Sequence, residues 1–495
     1  MAVVIDSEIC KGCGICSKEC PNKAILIQDK KAFIQDSCTG CGICTRVCPF
    51  NAAAEISEIK EGAVKCTSCP VQCEVLEGYT GACQRYRNDR GQLIRNRKLV
   101  TDVIPGGPLI TAVGAGTAYP CCRPAPHIVQ DTIDGVEMVT VVTEAPLSYS
   151  GIKVKIDTNL FVGEEGTKVK RNGKVVGMVD TEEYGSKMLS IGGANLLTGK
   201  DGFIVARTIV EIANGERVTL KVENNTLELQ VGCPPIINGV EDTKMRVGCG
   251  SATIGMFAAK LKEVVDEAII LDHHVVGLLS EHMAGESVGM SWSGIIPNAR
   301  RSTRGRYFGE HGQGWGGTNI ENPKDAIKSV DMSRAKPGMK VLVTETTGRM
   351  AALFEVQIDG SVLEVSMTDE VKSGVDAIRD TCENARVSAL YVGGTGGSAR
   401  AGVAVNPLKV TQAVHNREAL LTIGGAEVFV LPGGGINFMV DVEKVVSKAF
   451  TWVPTPATVA PVEYTMSLEK YKEIGGHIQA IKKLSEIVSQ EDSSS

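Results

Sequence analysis

The sequence is short of aromatic residues, basic clusters and long apolar runs, and each shortage excludes a class of protein. Aromatic side chains make up 4% of the 495 residues, and no stretch stays apolar for the ~18 residues that a membrane-spanning helix needs. The net charge is −6 and the chain has no long basic block, so we expect neither nucleic acid nor a membrane surface as a partner. The N-terminus has no charged segment followed by an apolar one, which predicts a cytoplasmic protein.

Cysteine, in contrast, is abundant and concentrated near the N-terminus. Eight of the 17 cysteines lie between positions 10 and 48, and four more lie between positions 66 and 83. In a chain without a secretory leader, clustering of this kind favours metal centres over disulfide bonds.

Residues 1–29 and 30–57 form an internal repeat built around "CKGCGICSKECP" and "CTGCGICTRVCP". The C-x2-C-x2-C-x3-C-P spacing is typical of bacterial ferredoxins with two [4Fe–4S] clusters, in which the fourth cysteine of each run binds the other cluster. The intervening glycines let backbone amides approach the sulfur atoms. A structural zinc site fits less well, because zinc takes four ligands in two pairs. The predicted ligands are Cys10, Cys13, Cys16 and Cys48 for one cluster and Cys20, Cys38, Cys41 and Cys44 for the other.

The next segment, "CTSCPVQCEVLEGYTGACQRY", contains a further quartet, namely Cys66, Cys69, Cys73 and Cys83. This quartet predicts a third [4Fe–4S] cluster, with a structural zinc ion or free thiols as the alternatives. Because it follows the ferredoxin repeat directly, a cluster here would extend the electron path toward the rest of the chain.

Beyond about residue 100 the sequence becomes poor in cysteine and mixes strand and helix patterns. Hairpins are predicted at Asn172–Gly173 and around Asn224–Asn225. An amphipathic helix is predicted from "SATIGMFAAKLKEVV", a second helix from "DEVKSGVDAIRDTCENA", and strands from "AIILD", "MKVLVTET" and "LFEVQID". We therefore predict an α+β multidomain protein. Its parts are a two-cluster ferredoxin-like module at 1–57, a Cys-rich connector at 58–100, a large mixed α/β catalytic body at 101–465, and a C-terminal helix and tail at 466–495.

Three glycine-rich turns in the body are candidates for cofactor binding: "VGCGSATIG", "YVGGTGGSARAGVAVNP" and "VLPGGGINFMVDV". The first precedes a predicted helix, whose N-terminal amides suit a phosphate or another anion. None is a dinucleotide fingerprint, because no G-x-G-x-x-G occurs with a correctly placed acidic residue, and ordinary tight turns are the alternative. The candidate cofactor residues are Gly250, Ser251, Thr253, Gly394, Gly397, Ser398, Arg400 and Gly434.

A long segment from Asp272 to Asn319 concentrates histidine, tryptophan and arginine. Arginine forks suit a carboxylate or a phosphate, and histidine can donate a proton near neutral pH. A solvated basic loop is the alternative. A metal site at His273, His274 and His282 is disfavoured, because adjacent histidines rarely point the same way on regular secondary structure.

A ferredoxin module fused to a large body implies that the body consumes or supplies electrons. Clusters pass electrons singly, whereas saturating a C=C or C=N bond takes a pair of electrons and a pair of protons. A flavin converts between these two modes, so the sequence predicts FMN or FAD in addition to the clusters.

Together with the ferredoxin repeat, the segments "CTSCPVQC", "TGACQRY", "RSTRGRYFGEHGQGWGGT" and "GGTGGSARAGVAVNP" resemble the 6-hydroxynicotinate reductase family over the whole chain. The resemblance implies a ferredoxin-dependent reductase of hydroxylated N-heterocycles, which yields 6-oxo-1,4,5,6-tetrahydronicotinate in anaerobic nicotinate degradation. It also implies a flavin, with covalent attachment as one option. A phosphoester link would use a motif ending S-G-A-T, which "CGSAT" approximates, with Thr253 as the acceptor.

The resemblance gives the Asp272–Asn319 segment candidate roles. A heteroaromatic carboxylate would pair with Arg301, Arg304 or Arg306, and His311 or His282 would supply a proton. Reduced ferredoxin is the expected electron donor, and we expect a homo-oligomer. Two alternatives remain open: an electron-carrying subunit without catalysis, which would lack flavin, and a cyclic-amide hydrolase, which would turn over without a reductant.

Overall fold

The structure is a computed structural model that describes residues 2–56, 60–66, 71–84, 86–95, 127–148, 150–183, 186–272, 277–298, 314–454 and 457–486. The predicted domain boundaries near residues 57 and 100 lie outside these ranges. So do several residues that the sequence singles out, namely Cys69, His273, His274, Arg301, Arg304, Arg306 and His311.

The described residues form strands and short helices in the following order. The strands are β1 (Ala2–Ile5), β2 (Ile25–Gln28), β3 (Lys31–Ile34), β4 (Ala53–Ile56), β5 (Val64–Lys65), β6 (Glu74–Val75), β7 (Tyr86–Asp89), β8 (Gln92–Arg95), β9 (His127–Ile133), β10 (Val136–Pro146), β11 (Gly151–Ile156), β12 (Lys168–Arg171), β13 (Lys174–Glu183), β14 (Ser186–Gly192), β15 (Val218–Val222), β16 (Asn225–Leu229), β17 (Ile236–Ile237), β18 (Val240–Glu241), β19 (Lys244–Met245), β20 (Glu267–Leu271), β21 (Gly277–Leu278), β22 (Ile295–Pro297), β23 (Ile327–Val330), β24 (Lys340–Glu345), β25 (Ala351–Val356), β26 (Val362–Val365), β27 (Glu383–Asn384), β28 (Val387–Thr395), β29 (Leu420–Ile423), β30 (Ala426–Glu427), β31 (Phe429–Leu431), β32 (Ile436–Asp441), β33 (Thr451–Val453), β34 (Ala457–Ser467) and β35 (Lys482–Lys483). The α-helices are α1 (Ile15–Glu19), α2 (Ile43–Val47), α3 (Ala194–Leu197), α4 (Gly202–Ala213), α5 (Gly250–Val264), α6 (Met283–Ser287), α7 (Asp369–Thr381), α8 (Gly397–Val403), α9 (Pro407–His415) and α10 (Leu468–Glu473).

The N-terminal module has the internal symmetry that its sequence repeat predicts. Each half supplies a strand, a short helix and a second strand, and β1 pairs antiparallel with β4 while β2 pairs antiparallel with β3. Gly14 and Gly42 precede the two helices with φ of 76° and 71°. Glycine suits these positions because a side chain disfavours the left-handed conformation. Both halves therefore contribute to each small sheet, which brings the two cysteine runs together.

Two large sheets form most of the body. The larger has the strand order β18-β17-β16-β15-β12-β13-β14-β11-β28-β32-β31, and the other has the order β30-β29-β34-β10-β9-β35, with β33 paired to β34. Helix α4, which is buried along most of its length, packs against strands of both sheets. Ile43 and Val47 of α2 join the same apolar core. The ferredoxin module is thus packed onto the body through its second helix.

A smaller unit combines a five-stranded sheet, in the order β21-β20-β24-β25-β26, with α5 and α7. Its apolar core includes Ile254 and Leu261 of α5 and Val375 of α7. β20 and β24 run parallel. In α/β units, ligands bind beyond the carboxyl ends of parallel strands, and here Asp272 immediately follows such an end.

The structure confirms the local predictions for the body. The β12–β13 turn has positive φ at both Asn172 (49°) and Gly173 (79°), as a type I′ hairpin requires. The β15–β16 hairpin also forms, with Val222 opposite Asn225, so its turn lies one residue earlier than predicted. Helices α5 and α7 occupy the predicted segments. The fold class is the predicted one: a ferredoxin-type module followed by a large mixed helix and strand body.

The C-terminal segment corrects the sequence prediction. α10 ends at Glu473 instead of continuing as a long polar helix, because Gly475 takes a φ of 79° and residues 482–483 pair with β9. β34 runs to Ser467, two residues past the predicted boundary at residue 465, and pairs with β10 from Val459 to Ser467. Pairing with distant strands overrides the helical pattern here.

Candidate iron–sulfur centres and reductive site

The structure assembles the cysteines of the repeat into the predicted sets. Burial raises the pKa of Cys16, and so do the neighbouring thiols of Cys13, Cys48 and Cys10. Burial likewise raises the pKa of Cys41 to about 12, with smaller increases from Cys44, Cys20 and Cys38. The fourth cysteine of each run therefore lies among the first three of the other run, as shared ligation of two clusters requires.

Backbone amides surround these sulfur atoms. The amide of Gly12 donates to Cys10 Sγ at 3.4 Å, and the amides of Ala24 and Ala52 donate to Cys20 Sγ at 3.3 Å and to Cys48 Sγ at 3.2 Å. Donors of this kind stabilise the negative charge of a cluster and help to set its potential. The glycine-rich spacing and the segment after each Cys-Pro both contribute to this environment.

A cavity in the module is lined by Cys20, Cys38, Cys41 and Cys44 together with apolar residues that include Val3, Ile25 and Ile43. Within the described ranges, no three His, Cys, Asp or Glu side chains converge closely enough for a single metal ion. A [4Fe–4S] cluster binds each thiolate at a different iron, so its ligands stand farther apart than those of one ion. The cavity and its thiols fit a cluster of that kind.

Three cysteines of the connector, Cys66, Cys73 and Cys83, converge beside Cys41 of the second ferredoxin set, which comprises Cys20, Cys38, Cys41 and Cys44. Burial raises the pKa of Cys73 to about 12, with smaller contributions from the thiols of Cys83, Cys41 and Cys66. The amide of Cys66 donates to the carbonyl of Cys73 at 2.8 Å, which closes the loop that contains Cys69. Cys69 itself lies outside the described residues, so the identity of this centre remains a prediction.

The connector and the ferredoxin module both contact the body at β33 and β34. Cys83 packs with Val453 and Val459, and its carbonyl accepts from Thr451 Oγ1 at 3.5 Å. Arg46 Nη1 donates to the carbonyl of Pro454 at 2.7 Å. The third cysteine group therefore lies between the second ferredoxin set and the body.

The first glycine-rich turn leads into α5, and an internal carboxylate already meets its N-terminus. The amide of Gly250 donates to Asp272 Oδ2 at 2.9 Å, and the same oxygen lies 2.9 Å from Arg246 Nη1. Both charged side chains are buried. The positive end of the helix dipole thus stabilises Asp272 directly, while the amide of Ser251 is the next donor along the turn.

His282 lies beside this turn. Its Nε2 is 2.9 Å from Ser251 Oγ, and its Nδ1 accepts from the amide of Ala284 at 3.1 Å, which caps α6. Because Nδ1 is an acceptor, the proton of a neutral ring belongs on Nε2. His282 therefore presents a donor toward Ser251, and its predicted role in proton supply stays a prediction.

Thr253 is placed differently from a residue that carries an external group. Its side chain is buried, and Oγ1 donates to the carbonyl of Cys249 at 3.1 Å within the first turn of α5. The described geometry therefore does not fit a phosphoester at this hydroxyl, because the attachment would have to break that bond and expose a buried side chain.

The second and third glycine-rich turns lie together at the end of β28. Gly394 pairs with Asn437 of β32, and a Cβ at Gly394 would lie 2.7 Å from Asn437 Oδ1. The Arg400 guanidinium donates to Thr411 Oγ1 and lies next to Gly397 and Gly435. Gly434 faces open space. Strand packing thus explains Gly394, whereas Arg400 of α8 lies beside the exposed turn that contains Gly434; the Ser398 side chain lies outside the described residues.

The three glycine-rich turns therefore lie at two separate sites and do not form a single binding site. The first turn lies near the start of β28, because Asp272, which accepts from the amide of Gly250, acts on Lys187, and Ile156 of β11 pairs with both Lys187 and Val387. Gly394 lies at the far end of β28, about 25 Å away at the usual rise per residue. One small ligand cannot touch both.

The buried pair Glu182 and Lys187 is absent from the sequence prediction. The two residues lie opposite each other on β13 and β14, with Lys187 Nζ 2.7 Å from Glu182 Oε1. The sequence contained a signal for its burial, because Lys187 alternates with the apolar Leu189 and Ile191 and therefore shares the inward face of β14 with these buried residues. A lysine at such a position is unusual and marks a functional candidate.

Comparison with known proteins decides the family. The family of 4Fe-4S dicluster domains matches residues 9–52. The chain is 59% identical to 6-hydroxynicotinate reductase of Eubacterium barkeri, over 97% of this chain and 99% of that protein. The chain belongs to the 6-hydroxynicotinate reductase family. As a member of that family, it is an oxidoreductase with an N-terminal iron–sulfur domain.

No solved structure matches this member of the 6-hydroxynicotinate reductase family. None of the helices among the described residues is long and apolar enough to cross a membrane.

Proposed function

We propose that this chain uses low-potential electrons to reduce the ring of a hydroxylated N-heterocyclic carboxylate, as in the conversion of 6-hydroxynicotinate to 6-oxo-1,4,5,6-tetrahydronicotinate. The observation that carries the proposal is the 59% identity, over nearly the whole chain, to a protein named 6-hydroxynicotinate reductase. Reduced ferredoxin or a similar carrier is the proposed donor, and nicotinate degradation under anaerobic conditions is the proposed context.

Electrons enter through the N-terminal module in this proposal. Cys10, Cys13, Cys16 and Cys48 hold one [4Fe–4S] cluster, and Cys20, Cys38, Cys41 and Cys44 hold the other. Cys66, Cys69, Cys73 and Cys83 hold a third centre, for which we favour a cluster over zinc. The support is its position, since Cys73 lies within electrostatic reach of Cys41 on one side and Cys83 contacts the body on the other.

The ring is reduced, we propose, near the N-terminus of α5. Buried charges, helix amides and the imidazole of His282 meet there, and perturbed buried charges concentrate at active sites. Gly316, which follows the arginine-rich segment in the sequence, packs closely against the carbonyl of Leu271 at the end of β20. Arg301, Arg304 or Arg306 would bind the substrate carboxylate, and His311 or His282 would supply a proton.

A flavin, FMN or FAD, is part of the proposal and would supply the conversion from single electrons to a hydride. Ser251, with its hydroxyl and its backbone amide at the N-terminus of α5, fits a phosphate without covalent attachment, whereas Thr253 does not fit as an acceptor. Gly394, Gly397, Ser398, Arg400 and Gly434 remain candidate cofactor residues at the other end of β28, where an open turn and a guanidinium fit an anionic group.

The test begins with anaerobic purification of the full chain. Iron and sulfide analysis with EPR spectra counts the clusters, and the mass of the intact chain reveals a covalent flavin. Reduced ferredoxin or a low-potential dye is then supplied with 6-hydroxynicotinate, and loss of the aromatic absorption is followed. Turnover that requires no reductant, or a chain with clusters but neither flavin nor ring reduction, would contradict the proposal.

Two sets of variants locate the parts of the site. Changing Arg301, Arg304 and Arg306 singly to Lys is expected to raise the Michaelis constant for the carboxylate substrate, because a lysine cannot form the bidentate pair. Ser251→Asp and Arg400→Gln distinguish the two candidate flavin positions, at the N-terminus of α5 and at the far end of β28. We expect Ser251→Asp to lose flavin by charge repulsion and Arg400→Gln to retain it.

A further inference from the structure

The Glu182–Lys187 pair is buried almost completely inside the body. Their side chains are 1% and 0% exposed, and they face each other directly across the β13–β14 hairpin. Removing two opposite charges from water is costly, and their attraction repays the cost only in part. Replacing such a pair with apolar residues is often neutral or stabilising, so structural stability alone is a weak reason for its presence.

The pair is connected to the α5 site by further charges. The charges of Arg246 and Asp272 both act on Lys187. Arg246 is in turn paired with Asp272, which accepts from the amide of Gly250. Buried charged groups that act on one another therefore extend from the β13–β14 hairpin to the turn where we place ring reduction.

Burial brings the proton affinities of the two partners toward each other. It raises the pKa of Glu182 to about 7, against the opposing effect of Lys187. It also lowers the pKa of Lys187. The other charged groups that act on the pair are Glu164, Arg246 and Asp272. Near neutral pH the pair can therefore gain or lose a proton, which an exposed Lys–Glu pair does not do.

We propose that Glu182 and Lys187 form a proton store for ring reduction and that they act on the site through Asp272. The inference rests on the proposed function. In the balanced reaction one ring π bond breaks, two electrons arrive singly from a reduced ferredoxin-type donor, and two protons complete two new bonds to hydrogen. The pair releases one of these protons toward the site and regains it from solvent after turnover. Neither residue touches the ring, so both are positioning residues.

The experiment compares two double variants of the full-length holoprotein. Glu182→Gln with Lys187→Met removes both charges at once and leaves no unpaired charge behind. Lys340→Met with Glu355→Gln is the matched control, because these residues also face each other on adjacent strands but are about one-third exposed. Iron content and thermal unfolding establish that each variant is folded and loaded with clusters before the rate of ring reduction is measured across pH.

We expect the buried double variant to lose roughly 10²-fold in kcat, the usual contribution of a positioned proton donor, with little change in the Michaelis constant. The wild-type rate should decline as pH rises through about 7, where Glu182 loses its proton, and the variant should lack this decline. The control should retain both rate and profile.

Several results would overturn the inference. One is a buried double variant with wild-type kcat and an unchanged pH profile, which would leave the pair a structural role only. If that variant does not fold, Glu182→Asp keeps the charge but shortens its reach, and a profile identical to that of the wild type would again reject the proposal. If wild-type enzyme reduces no heterocycle at all, the proposed function fails first, and the two failures are thereby distinguished.

Discussion

Single residues in this chain differ in chemistry because their surroundings differ. Cys44 lies within reach of Cys38, Cys20 and Cys16, and burial raises its pKa to about 12. Cys382 is also buried, but its closest partner is the carbonyl of Ile378 at 3.3 Å. Iron binding displaces the proton of a ligating thiol, so these neighbouring buried thiols, which stay protonated without metal, would ionise as a cluster binds.

We predict that Cys44→Ser loses the iron of one cluster and its EPR signal, because a serine hydroxyl replaces a thiolate ligand. Cys382→Ser should keep the full iron content. The measurement is iron and sulfide per chain after anaerobic purification. Equal iron content in the two variants would remove Cys44 from the ligand set.

His282 has two separable roles, and a pair of variants distinguishes them. Asn can still accept from the amide of Ala284 and cap α6, whereas Ala cannot. If His282 supplies a proton, as we propose, both His282→Asn and His282→Ala should lower kcat by roughly 10²-fold. If it only caps the helix, His282→Asn should react at the wild-type rate, and His282→Ala should lose about 1 kcal/mol of stability. Steady-state kinetics together with thermal unfolding measure both effects.

At the scale of elements, the β12–β13 turn both closes a hairpin and holds the ferredoxin module. Asn172 tolerates the positive φ of the turn, and its Nδ2 donates to Glu19 Oε1 of α1 at 2.7 Å. Arg207 Nη1 of α4 lies 3.8 Å from the other oxygen of Glu19. Glu19 is buried, so the contact is worth more than an exposed one would be.

Asn172→Asp is expected to weaken this docking by about 1–3 kcal/mol, because a second carboxylate then faces the buried Glu19. The bleaching of cluster absorbance on heating should move to a lower temperature. Asn238→Asp serves as the control, since Asn238 also has a positive φ in a turn but is exposed. An equal shift in both variants would mean that the turn conformation, and not the contact with Glu19, is responsible.

At the scale of the whole molecule, the cysteine groups follow one another toward the body. Cys73 lies beside Cys41 of the second set, and Cys83 lies against β33 and β34. The order of groups along the chain is thus also their order in space. In the path that we propose, an electron passes from the ferredoxin module through the connector to the body, alongside the direct contact that α2 makes with the body core.

We therefore predict that Cys73→Ser leaves both ferredoxin clusters intact and reducible but interrupts transfer to the substrate. After reduction by dithionite, mixing with 6-hydroxynicotinate should reoxidise the clusters at least about tenfold more slowly than in the wild type. Cys233→Ser, at a half-buried cysteine outside the three groups, should behave as the wild type. Reoxidation at the wild-type rate in Cys73→Ser would exclude the connector as a relay.

The sequence by itself determined the parts that depend on spacing along the chain. The two cysteine runs, the Asn172–Gly173 turn and helix α5 follow from local patterns, because each is formed by residues close in sequence. The interleaved ligand sets are a prediction from the same spacing. The family was likewise readable from motifs distributed over the whole length.

Only the tertiary structure decided which distant segments meet. The glycine-rich turns lie at the two ends of β28, and the C-terminal helix ends at Glu473. Lys187 is buried against Glu182, where the charges of Arg246 and Asp272 act on it. The physical reason is that strand pairing and burial depend on partners hundreds of residues apart, such as β10 and β34. A charge becomes costly, and therefore informative, only once those partners have excluded water from it.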